Sequence, residues 1–276
     1  MELAANLSWL YPELAWSERF AAAARDGFRA AEILLPYDHP PAWYAARLRD
    51  ASLELVLLNT PIEAGRGHRG WAAVPGAEAQ FDGALDRARA VAEATGCRRV
   101  HVMAGDVSGL SASDCAATLR RNLERALRRT EAEGLVLTLE ALNRVDMPGY
   151  CYYLPEQVIA VLHDVRSPRL RMQFDYYHVV KEGLDLQATL ASCSPWIGHA
   201  QIAGAEGRHE PDLDRDGLLD AVAALPGLGY DSWLGCEYAP RGLAAQGLGW
   251  CEPLRTLGVL TPAAASEPVF SVHNRL

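Results

Sequence analysis

Eight short apolar runs, each separated from the next by a longer stretch, constrain this chain more than any other feature. They fall at residues 3–7, 30–34, 53–58, 99–103, 136–139, 170–174, 197–202 and 233–236. Such runs, bounded by turn residues, have the pattern of strands buried on both faces of a parallel sheet. The intervening stretches carry helix signals. Residues 17–25 open on Ser17 as a candidate N-cap and stop at Gly27. Residues 76–94 are alanine-rich and stop at Gly96, residues 113–133 end at Gly134, and residues 155–165 begin with Pro155 in the first turn. Strand and helix in strict alternation predict parallel strands joined by right-handed crossovers.

Eight such units favour closure into a single (β/α)8 barrel. An open doubly wound sheet would carry a glycine-rich phosphate turn after its first strand. Here the first run leads into Ser8-Trp9-Leu10-Tyr11-Pro12. The chain has 276 residues, close to the roughly 250 such a barrel uses. The expected organisation is one barrel domain over 1–260 and a tail over 261–276, read as loosely ordered or as an arm on a neighbouring copy.

Charge and composition narrow the partners. The net charge is −9, whereas phosphate binding calls for a basic face, so no nucleic-acid partner is expected. No apolar run approaches the roughly 20 residues that span a bilayer. The first ten residues carry Glu2 and no basic segment, so no secretory leader is expected and the location is read as cytoplasmic. The six cysteines are scattered without a C-x-x-C pair, which points to free thiols rather than a zinc knuckle.

In such a barrel, polar residues at the C-terminal ends of strands face the active site. Runs five to eight read Leu139-Glu140, Phe174-Asp175, Ala200-Gln201 and Cys236-Glu237. Three carboxylates and an amide at one partly dry mouth repel one another unless a cation joins them. All-oxygen ligation by Glu140, Asp175, Gln201 and Glu237 suits Mg²⁺ or Mn²⁺ better than Zn²⁺. His178, three residues beyond Asp175, is placed to bond a substrate oxygen or to orient a ligand. Arg208, after the seventh run, could pair with a substrate carboxylate. Asn6 and Asn59, ending the first and third runs, are candidate hydroxyl contacts. The stretch Ala64-Gly65-Arg66-Gly67-His68-Arg69-Gly70 lacks the G-K-[ST] of a phosphate loop and is read as a loop over the barrel mouth.

These residues sit in segments that resemble the hydroxypyruvate isomerase family, within the xylose-isomerase-like TIM barrels. The segments are Ala5-Asn6-Leu7-Ser8, Pro36-Tyr37-Asp38, Gly65 to Gly70, Leu139-Glu140-Ala141-Leu142-Asn143, and Asp146-Met147-Pro148-Gly149. After them come Gln173-Phe174-Asp175-Tyr176-Tyr177-His178, Gly198-His199-Ala200-Gln201-Ile202-Ala203, Arg208-His209-Glu210-Pro211 and Gly235-Cys236-Glu237-Tyr238. The resemblance implies a metal on Glu140, Asp175, Gln201 and Glu237. It also implies that Glu140 and Glu237 are the acid/base pair, with His178 and Arg208 as substrate contacts. Two positions depart from the family pattern: Asp212-Leu213-Asp214 replaces a usual Gly-Thr-Gly, and Ala239 stands where a lysine is frequent.

The implied reaction converts hydroxypyruvate to 2-hydroxy-3-oxopropanoate (tartronate semialdehyde), with glutamates moving the proton through a metal-stabilised enediolate. Rival readings on the same site are a 2-oxo-tetronate isomerase and a ketose 3-epimerase. More distant ones are a non-catalytic barrel and a relative of DNA-repair endonucleases, whose zinc chemistry would want histidines at most strand ends. The expected partner is a small-molecule substrate, and association into a homo-oligomer is compatible with this fold.

Overall fold

The computed structural model of the protein describes residues 1–63 and 69–261. Most of the expected glycine-rich loop, 64–68, and the tail from 262 lie outside the described residues. Eight parallel strands close on themselves in chain order. They are β1 (Glu2–Asn6), β2 (Ala30–Ile33), β3 (Glu54–Asn59), β4 (Arg99–His101), β5 (Val136–Glu140), β6 (Leu170–Asp175), β7 (Ile197–Ile202) and β8 (Trp233–Cys236). β1 pairs with β8 through Glu2 to Trp233 and Ala5 to Cys236, which completes the ring. Every expected run is a strand, with ends moved by at most two residues.

The helices pack outside the ring. The four stretches read as helical become α1 (Arg19–Arg25), α3 (Glu78–Thr95), α4 (Ala112–Arg129) and α5 (Pro155–Val165), with α2 (Pro41–Asp50) between the first two. In α3 the residues Phe81, Leu85, Ala88 and Ala92 recur three or four apart and are buried, so one stripe faces the strands. α5 begins at Pro155, as expected. Two boundaries differ for local reasons. Ser17 is not a cap: a 3₁₀ turn at Trp16–Glu18 precedes α1, and the Glu18 carboxylate accepts from the Ala15 backbone N–H. α4 stops at Arg129, where the Thr130 hydroxyl donates to the Ala126 carbonyl and competes with the next helical bond. After β6 come α6 (Tyr176–Lys181) and α7 (Leu186–Cys193), and α8 (Leu218–Ala224) and α9 (Glu252–Thr256) complete the layer. Among the described residues no helix is long and apolar enough to cross a membrane.

Inside the ring, the layer toward the C-terminal ends of the strands is polar. Asn6, Glu32, Thr138, His199 and Gln201 are wholly buried, and His101 and Gln173 nearly so. Branched apolar side chains commonly fill this space. Below the polar layer, Ala4, Ala30 and Val56 form a small cluster closed by Trp233. The main apolar core lies instead between strands and helices.

One glycine makes the polar layer possible. A Cβ on Gly235 would come within 2.0 Å of Glu32 Oε1, and Glu32 is buried and held on several sides, so it cannot swing away. Gly235→Ala is expected to lower stability by about 1–3 kcal/mol through overpacking, read from urea unfolding. Unchanged stability would show that Glu32 does not depend on the space Gly235 leaves.

Candidate active site

The barrel register brings the strand ends together. Glu140 lies beside Gln173, Asp175 beside Gln201, and Gln201 beside Gly235. Side chains two residues apart on a strand share a face, so Gln173 and Asp175 point inward together. So do His199 and Gln201, as do Gly235 and Glu237. The four residues at the ends of strands five to eight therefore converge on one mouth.

Asp175 does two jobs. Its Oδ1 accepts from the Tyr177 backbone N–H at 2.9 Å and caps α6. Its Oδ2 accepts from Arg208 Nη2 at 3.0 Å. The same Nη2 donates to Glu237 Oε1 at 2.6 Å. The guanidinium lies over the rings of Trp9 and Tyr177, 5.1 and 4.6 Å from their centroids. Arg208 has φ of +53°, a left-handed conformation that costs a residue with a Cβ about 1 kcal/mol. The loop is stitched to hold it: Ala239 N–H donates to the Arg208 carbonyl at 2.8 Å, and the His209 carbonyl accepts from Gly204 N–H at 2.8 Å. Ala239, where the family pattern often has lysine, thus contributes through its backbone.

His178 stands one turn beyond Asp175. Its Nδ1 accepts from the Asn143 backbone N–H at 3.1 Å. A backbone N–H can only donate, so in the neutral ring the proton sits on Nε2. Burial and the Arg208 charge push the His178 pKa well below its ordinary value, so the ring is neutral. Nε2–H then points between Glu140 Oε1 and Asp175 Oδ2, 3.7 Å from each. Glu140, Asp175 and His178 can bring one candidate ligand atom each within 4.8 Å of one another. The tautomer makes His178 a donor in that group rather than a ligand.

The carboxylates are crowded. Burial and then Glu237 and Asp175 push Glu140 well above the usual range. Burial pushes Glu237 up to about 8, with Arg208 opposing and Asp175 adding. Burial also raises Asp175, against Arg208. For Arg208, burial favours loss of the proton, but Glu237 and Asp175 outweigh it and raise its pKa. One guanidinium thus faces three carboxylates. Glu140 Oε1 is buried and has no hydrogen-bond partner among the described residues. Three carboxyl groups crowded around one guanidinium and an orphaned carboxyl oxygen fit a hard divalent cation.

Gln201 Nε2 donates to Glu237 Oε2 at 2.5 Å and to Glu32 Oε2 at 2.9 Å, and its Oε1 accepts from Gln173. The two asparagines differ. Asn6 is spent on the wall, donating to Glu32 Oε2 at 2.9 Å and accepting from Ser8 N–H at 3.1 Å. Asn59 Oδ1 is buried and has no partner among the described residues. Four further polar residues belong to the site and were not singled out from sequence: Glu32, His101, Asn143 and Gln173. His101 Nδ1 lies 3.5 Å from Glu140 Oε2, and burial lowers its pKa to about 3. The signal for Glu32 was present, as a lone charge inside the apolar run Ala30-Ala31-Glu32-Ile33-Leu34.

A barrel carrying acids at the ends of strands five, six and eight defines a class, and the comparisons with known proteins agree. Residues 20–254 match the model of the xylose isomerase-like TIM barrel family, and the chain belongs to it. It is 43% identical to a 2-oxo-tetronate isomerase of Cupriavidus necator over 91% of this chain and 97% of that one. It is 32% identical to a hydroxypyruvate isomerase of Escherichia coli over 92% and 100%. A crystal structure described as an AP endonuclease of family 2 from Brucella melitensis superposes with a TM-score of 0.85 at 34% identity, covering 91% of this chain and 98% of that one. By these relatives the chain is an isomerase-type enzyme.

The crowding sets the response to pH. Between pH 4.5 and about 8 the folded protein holds a proton on Glu237 that the unfolded chain has lost, so stability falls as pH rises through that range. His101 acts oppositely: below its ordinary 6.5 the unfolded chain binds a proton that the folded one refuses, so stability rises with pH up to there. In chelator-treated protein the melting temperature should therefore decline from about pH 6.5 to 8, and Glu237→Gln should flatten that decline. A Tm that climbs over this window in the wild type would contradict the assignment.

Proposed function

We propose that this protein is a divalent-metal-dependent isomerase of a small hydroxy-oxo acid, moving a proton between adjacent carbons with Glu140 and Glu237. The observation that carries this reading is the pair of buried glutamates on either side of one mouth, each with Oε2 held by a glutamine amide and Glu140 with an unpartnered Oε1. Carboxylates so placed can take a proton from one carbon and return one to its neighbour.

Glu140, Asp175, Gln201 and Glu237 would hold Mg²⁺ or Mn²⁺. For Gln201 the ion would take the Oε1 lone pair that the Gln173 N–H leaves free. The ion, when bound, supplies Lewis-acid stabilisation of the negative charge that develops on the substrate oxygens. The protein's own groups do the rest. One glutamate removes a proton from the hydroxyl-bearing carbon and the other delivers one to the former carbonyl carbon. The hydroxyl proton passes to the former carbonyl oxygen, so the product is an isomer with no gain or loss of atoms. For hydroxypyruvate that isomer is 2-hydroxy-3-oxopropanoate. His178 donates from Nε2–H to a substrate oxygen. Arg208 pairs with the substrate carboxylate, and Trp9 and Tyr177 keep its guanidinium flat against the mouth. Asn59 Oδ1 accepts from a hydroxyl.

A second reading rests on a specific observation. The relative sharing 43% of its residues with this chain is a 2-oxo-tetronate isomerase, which favours a substrate one carbon longer. Both substrates are acids, and Arg208, a cation that the described residues place at the mouth, supports an acid over a neutral ketose.

Turnover of hydroxypyruvate, 2-oxo-tetronate and neutral ketoses with Mg²⁺ or Mn²⁺ decides among these. Glu140→Gln and Glu237→Gln should each lower kcat by about 10²–10⁴-fold. Wild-type rates in both variants would refute the mechanism. Product formed in D₂O should carry solvent deuterium, and its absence would indicate a hydride shift. Arg208→Gln should raise KM for the acids and leave neutral ketoses unaffected.

A further inference from the structure

Glu32 is buried in β2 and meets the proposed machinery through Gln201, whose amide its Oε2 holds. It is the most heavily bonded carboxylate in the barrel. Its Oε1 accepts from His199 Nε2. Its Oε2 accepts from Asn6 Nδ2 and from Gln201 Nε2, both at 2.9 Å. From Gln201 the bonds continue across the barrel. Gln201 Oε1 accepts from Gln173 Nε2 at 2.6 Å, Gln173 Nε2 also donates to Glu140 Oε2 at 2.9 Å, and Gln173 Oε1 accepts from Thr138 Oγ1 at 3.1 Å.

The direction of this chain is set at one end. The Ser8 N–H takes Asn6 Oδ1, so Asn6 turns Nδ2 to Glu32 and Glu32 Oε2 is an acceptor there. Gln201 likewise turns its amide nitrogen to that oxygen, and the same nitrogen reaches Glu237 Oε2 at 2.5 Å. That leaves Gln201 Oε1 facing Gln173, which must answer with its own nitrogen, and that nitrogen reaches Glu140 Oε2. The Gln173 oxygen is then left for the Thr138 hydroxyl, which can donate. Reversing any one amide would set oxygen against oxygen or nitrogen against nitrogen at the next link. The outcome is symmetrical. Glu140 and Glu237 each have Oε2 held by an amide N–H, while Glu140 Oε1 has no hydrogen bond and Glu237 Oε1 meets Arg208.

We infer that Glu32 is a positioning residue for both proposed proton-transfer glutamates, acting through Gln201 on Glu237 and through Gln201 and Gln173 on Glu140. This rests on the isomerase reading for the identity of the two glutamates, but the relay itself is defined by hydrogen-bond direction alone. Glu32→Gln keeps the size of the side chain and gives position 32 a donor. The amide at 32 then competes with Gln201 and Asn6 as donors, Gln201 turns over, Gln173 follows, and both glutamates lose their N–H. Glu32→Asp keeps an acceptor-only group but leaves a gap.

The decisive measurement needs no substrate. In ¹⁵N-labelled protein, the side-chain amide resonances of Gln201 and Gln173, assigned by substitution, should both shift in Glu32→Gln. Movement of Gln201 alone, or of neither, would overturn the relay. In the assay, Glu32→Gln should lower kcat about 10- to 100-fold with KM within about twofold and Tm within about 5 °C. Glu32→Asp should recover part of that loss. A purely structural Glu32 gives the opposite order, with Gln better tolerated than the smaller Asp. Gln173→Met cuts the chain before Glu140 without touching Glu32, and the double variant Glu32→Gln/Gln173→Met should be scarcely slower than the slower single, because both break one chain. Additive losses would overturn the proposal, and should Glu32→Gln not fold, a wild-type kcat in Gln173→Met would do the same. A wild type that turns over no acid, with the amide shifts intact, would count against the isomerase reading alone.

Discussion

Negative charge gathered in a dry place is the constraint on which this structure depends. Glu32, Glu140, Asp175 and Glu237 are all buried within the upper layer of one barrel, where an uncompensated charge costs several kcal/mol. The surroundings are answers to that cost. Asp175 accepts from the first turn of α6 and from Arg208, Glu237 accepts from Arg208 and the Gln201 amide, and Glu32 is bonded to that same amide, to Asn6 and to His199. Even the strained backbone of Arg208 follows from this, because φ of +53° lets a loop residue fold its guanidinium back into the mouth. A glycine there would relieve the strain and remove the cation.

Glu140 is the exception, and the exception is informative. It receives one amide bond, has an unpartnered Oε1, and faces two histidines that burial keeps neutral. Neutral His178 and His101 cannot offset its charge. Of the acids at the mouth it is the least compensated, and it lies beside the residues whose polar atoms are also unspent, Asn59 and His101. The mouth is thus divided. Strands six to eight carry the ionic cluster around Arg208, whose Nε has no partner among the described residues, while strands three to five carry Asn59, His101 and Glu140 with bonding capacity left over. A small polar acid laid across the mouth would meet charge on one side and open hydrogen-bonding groups on the other, which is the asymmetry that binding in one orientation requires.

Much of this was legible in the residues. Buried parallel strands must be continuously apolar, so all eight stood out, and the polar residues that interrupt their ends had to face the mouth. That logic finds Glu140, Asp175, Gln201 and Glu237 and misses Glu32, His101 and Gln173, because it inspects only where a run ends. Glu32 and Gln173 sit inside runs, where a polar residue reads as an imperfection of the pattern. Only closure of the barrel puts them against one another. Asn6, read from its strand end as a candidate hydroxyl contact, is placed by register beside Glu32, which accepts from its amide. The tautomer of His178 was equally out of reach, since it is set by a backbone N–H thirty-five residues away in sequence.

Two kinds of link connect the acids: Arg208 joins Asp175 to Glu237 as a charge, while Glu32, Glu140 and Glu237 are joined to one another through glutamine amides. Linking them through glutamine fixes the geometry while leaving the charge balance almost untouched. Glu140 keeps one oxygen anchored and the other without a partner, while the second oxygen of Glu237 meets Arg208. A serine or threonine in the same place could rotate its hydroxyl to suit either neighbour and would transmit no direction. An amide has distinct ends, so a single acceptor at position 32 suffices to orient every group between β2 and β5. Gly235 completes the arrangement by leaving the volume that Glu32 occupies: direction at the site depends on the carboxylate, and the carboxylate depends on the one strand position that carries no side chain.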